Sequence, residues 1–161
     1  MMIQGILIIC AIVVAAFIIN GVEDHHKGNK MSFRESMDLT ELPVITFYNG
    51  NTKINLLLDT GSSLNVINSK IVESLVYTKL ESSGTVYGME GNTIDVEYIS
   101  MNITRDNDSY SSIFQVVDMQ KAFDNIKEEY GVQIHGILGN SFFKDYKYIL
   151  NFDEFVAYSK E

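Results

Sequence analysis

Residues 54–63 read Ile54-Asn55-Leu56-Leu57-Leu58-Asp59-Thr60-Gly61-Ser62-Ser63. An apolar run of strand length ends on a carboxylate, which is costly to bury and keep charged unless local donors hold it. The next residues supply such donors. Thr60 and Ser62 carry hydroxyls, and Gly61 lets the backbone turn sharply and bring its N–H close to the carboxylate. Asp and Gly also share ordinary turns after strands, so Asp59-Thr60-Gly61 by itself fits a plain turn as well as a reactive group. Three later features bear on the choice: the apolar return Leu64, Val66 and Ile67; the glycine-bearing stretch Val86-Tyr87-Gly88-Met89-Glu90-Gly91-Asn92; and Gly136-Ile137-Leu138-Gly139-Asn140-Ser141.

The 161 residues suffice for one domain with its own core. Hydrophobic residues make up 46% of the chain, unevenly spread: residues 1–19 hold no charge, and the rest carries the whole net charge of −9. No cluster of Lys and Arg is present, which argues against a nucleic-acid partner. The single cysteine, Cys10, excludes an intrachain disulfide and a metal site built on several cysteines. His25 and His26 sit in a polar stretch without metal-ligand spacing to a third group, so neither a metal nor any other cofactor is expected.

Residues 1–19 approach the length of about 20 needed to cross a bilayer as a helix. A cleaved signal peptide would have a basic start, a shorter apolar run and a small-residue cleavage site. Here no Lys or Arg precedes the run, and Phe17, Ile18 and Ile19 extend it beyond Ala15-Ala16. The expectation is a single-pass membrane anchor over 1–19, a polar linker over 20–41 and a folded domain over 42–161. Lys27, Lys30 and Arg34 follow the anchor, so the positive-inside rule places the domain on the cytoplasmic side. Asn102-Ile103-Thr104 and Asn107-Asp108-Ser109 match the N-glycosylation pattern, which is used only in a lumenal location.

From Leu42 onward short runs rich in Val, Ile, Tyr and Phe predict strands over 44–48, 53–58, 85–87, 93–103, 113–117, 148–152 and 155–158. Helices are predicted over 69–76, over 120–130 with Ala122, Phe123 and Ile126 on one side, and over 140–146. Many short strands with few helices predict a mainly β fold closed as a small barrel.

An apolar strand, Asp59-Thr60-Gly61-Ser62, a glycine-bearing hairpin and then Ile137-Leu138-Gly139, in that order, resemble the retropepsin-like aspartic proteases. The resemblance spans residues 42–160, nearly all of the part beyond the anchor and linker. It implies that Asp59 is the catalytic carboxylate and that Thr60 interlocks with its counterpart in a partner chain. It further implies that Gly61 donates its N–H to the carboxylate and that Ser62 hydrogen-bonds the outer carboxylate oxygen. Tyr87, Gly88, Met89, Glu90 and Gly91 would form a flap over a peptide or protein substrate. Ile137, Leu138 and Gly139 would pack beneath the loop in a structural role, and His135 falls outside the pattern.

Aspartic protease chemistry needs two carboxyls sharing a proton. The chain has no second Asp-Thr-Gly or Asp-Ser-Gly, and Asp153 lacks the hydroxyl and glycine after it. The resemblance therefore implies a homodimer with one Asp59 from each chain around a two-fold axis. The alternatives are a membrane-anchored binding module that keeps the fold without activity, and a monomer with an incomplete site.

Overall fold

The computed structural model describes residues 32–81, 84–87 and 93–160. The anchor expected over 1–19 lies outside them. Among the described residues no helix is long and apolar enough to cross a membrane.

The ten strands among the described residues are β1 (Val44–Asn49), β2 (Thr52–Leu58), β3 (Asn65–Asn68), β4 (Thr78–Lys79), β5 (Gly84–Tyr87), β6 (Thr93–Arg105), β7 (Asp108–Val117), β8 (Gly136–Leu138), β9 (Tyr148–Asn151) and β10 (Val156–Ser159). Among the described residues three α-helices accompany them: α1 (Phe33–Thr40), α2 (Gln120–Tyr130) and α3 (Asn140–Asp145). Six strands form a ring in the order β1-β2-β8-β3-β7-β6, closed where Tyr48 of β1 pairs with Thr104 of β6. The fold is thus mainly β and barrel-like, as the sequence predicts. β4 and β5 add to β6, and β9–β10 form a separate hairpin.

Alternation along the strands fills the barrel. Ile45 and Phe47, Ile54, Leu56 and Leu58, and Ile99, Met101 and Ile103 recur at every second position, and all are buried with Phe114, Leu138 and Phe142. β1 is buried on its other face too: Val44 packs with Phe123 of α2, Val132 and Ile134, in a second cluster outside the barrel. Thr46, also on that face, donates from Oγ1 to Asn55 Oδ1 of β2 at 2.7 Å. In α2 the buried residue is Phe123, Ile126 is half-buried, and Ala122 is exposed rather than on the packed side.

Two differences from the sequence reading matter for the site. First, part of the predicted linker is the helix α1. Ser32 caps it by accepting from the Glu35 N–H, and Phe33, Ser36 and Thr40 are buried. Ser36 Oγ accepts from the Val44 N–H at 2.9 Å, fixing the helix to the start of β1. Phe33 packs edge-on against Phe152 and Phe155, in the turn between β9 and β10, with ring centroids 5.1 and 6.1 Å away. The Arg34 guanidinium lies 5.0 Å over the Phe155 ring and donates to the Glu154 carbonyl. Residues 32–40 of the predicted linker therefore pack as part of the folded unit. Second, β3 and β8 were not predicted as strands, yet they complete the ring and flank the Asp59 loop. The predicted helix over 69–76 is a 3-10 helix over Ser69–Ser74.

Candidate active site

β2 delivers its last residue, Leu58, into the core and leaves Asp59 half-exposed just beyond the strand. The parallel pairing of β2 with β8 continues one step further, because the Asp59 N–H donates to the Leu138 carbonyl at 3.0 Å. The chain then turns back: the Ser62 N–H reaches the Asp59 carbonyl at 3.2 Å, and the Gly61 N–H donates to Asp59 Oδ1 at 2.8 Å.

Ser62 departs from the role that the resemblance implies. Its hydroxyl donates to the Leu64 carbonyl at 2.7 Å and not to the outer oxygen of Asp59. The acceptor two residues on is the nearer partner for a short hydroxyl in a turn. Thr60 is exposed, and its carbonyl accepts from Asn140 Nδ2 at 2.7 Å.

The segment beneath the loop grips it at several points. Leu138 is fully buried, whereas Ile137 is half-buried against the outer cluster. The Asn140 N–H donates to the Ser62 carbonyl at 2.8 Å, and the Ser141 N–H to the Ser63 carbonyl at 3.2 Å. Asn65, which the sequence reading did not single out, joins β3 to β7 and to the residue that follows β8. It is buried on β3, its Oδ1 accepts the Gly139 N–H at 3.0 Å, and its Nδ2 donates to the Ile113 carbonyl of β7 at 3.0 Å. Asn140 was also not singled out. Both are asparagines without a local pattern, and their partners lie 74 and 80 positions away for the Gly139 and Thr60 bonds.

The arms of the predicted flap pair in antiparallel fashion, Gly84 with Val96 through to Tyr87 with Thr93. Gly88, Met89, Glu90 and Gly91 lie outside the described residues. Asp153 sits in the exposed turn between β9 and β10, its N–H on Asn151 Oδ1. Among the described residues, no second carboxylate is hydrogen-bonded to Asp59, and no group of three or more His, Cys, Asp and Glu is placed to hold a metal ion.

His135 lies just before β8. Its Nδ1 accepts the Asn55 N–H of β2 at 2.9 Å, while its own N–H donates to the Asn55 carbonyl at 2.8 Å. Burial holds the imidazole below its ordinary range, and the Lys127 charge adds to the shift. It is thus a neutral acceptor joining two strands of the barrel.

A closed six-strand barrel carrying Asp-Thr-Gly on the loop after one strand, with an apolar-apolar-Gly segment threaded beneath, has the retropepsin-like fold. The retroviral protease-like domain of Ddi1 from Leishmania major aligns with a TM-score of 0.53 at 10% identity, over 73% of this chain and 87% of that one. The EIAV protease complexed with the inhibitor HBY-793 aligns with a TM-score of 0.49 at 19% identity, over 67% of this chain and 90% of that one. At 10% identity the likeness to the Ddi1 domain is one of fold. No protein-family model matches the chain, and no curated protein matches it.

Proposed function

We propose that this protein is an aspartic endopeptidase that acts as a homodimer, with Asp59 of each chain forming the catalytic pair. The observation that carries this reading is the 2.8 Å bond from the Gly61 N–H to Asp59 Oδ1, on a loop left open beyond a buried strand. It keeps one carboxylate oxygen occupied and the carboxylate oriented.

One chain supplies one such carboxylate, and the chemistry needs two. With two Asp59 side chains about 3 Å apart, only one ionises. The charged member takes a proton from water as the water oxygen attacks the scissile carbonyl, while the protonated member gives its proton to the carbonyl oxygen. Collapse of the resulting diol breaks the C–N bond, with a proton delivered to the leaving amine. Thr60, exposed beside Asp59, would meet its counterpart across the axis, and the β5–β6 hairpin would cover the substrate. Residues 1–19, acting as a membrane anchor, would hold two chains in one surface and raise their effective concentration.

A second reading, an inactive peptide-binding module with the same fold, draws on Ser62, whose hydroxyl is engaged with Leu64 rather than with Asp59. The test is cleavage of a peptide library by the full chain in detergent, beside Asp59→Ala, together with sedimentation of both. Hydrolysis by a wild-type dimer that drops at least about a thousandfold in the variant supports the protease. Equal cleavage by both, or a wild-type chain that stays monomeric and inactive, removes it.

A further inference from the structure

Asn140 makes two contacts with the Asp59 loop that differ in kind. Its backbone N–H donates to the Ser62 carbonyl at 2.8 Å, as part of the main-chain lacing between the loop and α3. Its side-chain Nδ2 donates to the Thr60 carbonyl at 2.7 Å. That carbonyl and the Gly61 N–H are the two ends of one planar peptide group. The N–H end donates to Asp59 Oδ1 at 2.8 Å. A hydrogen-bond chain therefore runs from the Asn140 amide, through a single peptide, to the carboxylate. Holding the carbonyl sets the tilt of the peptide plane, and with it the direction of the N–H. Hydrogen bonds in such a chain also polarise one another.

We propose that Asn140 is a positioning residue that orients and strengthens the Gly61 donor on Asp59 through the Thr60–Gly61 peptide. The inference rests on the reading of Asp59 as the working carboxylate. The loop's attachment does not depend on this side chain. The main-chain bonds Asp59 N–H to Leu138, Asn140 N–H to Ser62 and Ser141 N–H to Ser63 can all form with Ala or Asp at this position, as can the Asn65 bond to the Gly139 N–H. Asn140 and Thr60 are exposed, so loss of the amide buries no unpaired group, and the variants should fold.

The test compares full-length wild type, Asn140→Ala and Asn140→Asp in detergent. The Asp variant keeps the size of the side chain and, at neutral pH, has no proton to donate. For both variants kcat falls about fivefold to tenfold, the scale of one net hydrogen bond, while KM stays within about twofold. The Gly61 amide proton, followed by NMR, moves upfield. Wild-type values of kcat and of the Gly61 signal in folded variants would overturn the proposal. So would lost activity with the Gly61 signal unmoved, or the failure of both variants to fold, either of which makes Asn140 merely structural. If wild type itself hydrolyses nothing, the reading of Asp59 fails, while the Gly61 signal still decides whether Asn140 orients this amide.

Discussion

Gly139 passes so close beneath Leu64 that a Cβ on it would stand 2.4 Å from the Leu64 carbonyl oxygen and 2.8 Å from that of Ser62. Both obstacles are backbone, so no side chain can swing aside. Gly139→Ala must push the loop away from α3 or distort β8. The expected loss of stability is about 2–3 kcal/mol by urea denaturation. Gly136→Ala, 2.4 Å from the Val66 carbonyl, costs a similar amount. Gly131→Ala gives the contrast. It has open space and only a left-handed φ of 74° against it, so about 1 kcal/mol is expected.

Asn65 should be less tolerant of truncation than its surface-type chemistry suggests. Asn65→Ala removes the acceptor of the buried Gly139 N–H and the donor to the Ile113 carbonyl together. The expected cost is about 2–3 kcal/mol. Asn65→Asp keeps the acceptor and loses the donor, so it should fall between wild type and Asn65→Ala in the same denaturation series.

His135 makes the domain less stable in acid. Above about pH 6.5 the imidazole is neutral whether the chain is folded or not. Burial depresses the folded value, so just below that pH the unfolded chain takes up a proton that the folded chain refuses. Stability then falls as pH drops through this window and levels off below the folded value. In the folded state a proton on Nδ1 would face the Asn55 N–H, which it now accepts. His135→Asn, with an acceptor oxygen close to the Nδ1 position and no titration, should flatten this part of the curve. Unfolding free energies at pH 7.5 and 5.5 for both proteins measure the difference.

The boundary of the folded unit is open to test through α1. Phe33→Ala removes a side chain only 1% exposed, with its contacts to Phe152 and Phe155, and should cost about 3–4 kcal/mol. A chain beginning at Leu42 loses Phe33, Ser36 and Thr40 together, and should melt well below one beginning at Ser32. Equal melting temperatures would show that α1 adds nothing.

How much of this could be read in advance depended on whether the signal was local. The alternation within each of β1, β2 and β6 and the Asp-Thr-Gly turn are each carried by residues a few positions apart, and both the barrel class and the position of Asp59 were legible from them. α1 was missed because two of its three buried residues, Ser36 and Thr40, are small and polar and spend their hydroxyls on backbone groups. The Ser32-Phe33-Arg34-Glu35 start is a capping signature that could have revealed it. β3 and β8 are four and three residues long and become strands only through distant partners. The first half of β7, Asp108 to Ser112, is mostly polar and is held in register by β6 rather than by its own pattern.

The parallel pairing of β2 with β8 joins Leu56 to Gly136 and Leu58 to Leu138. The support of Asp59 is therefore synthesised long after Asp59 itself, and the Asn140 bond to Thr60 spans 80 positions. During translation the Asp-Thr-Gly segment emerges from the ribosome while the strand that will brace it has not yet been made. Such non-local closure comes late in folding. A growing chain would thus carry the Asp-Thr-Gly segment unbraced until β8 and α3 had left the ribosome, and the order of synthesis alone sets when the loop can take its final shape.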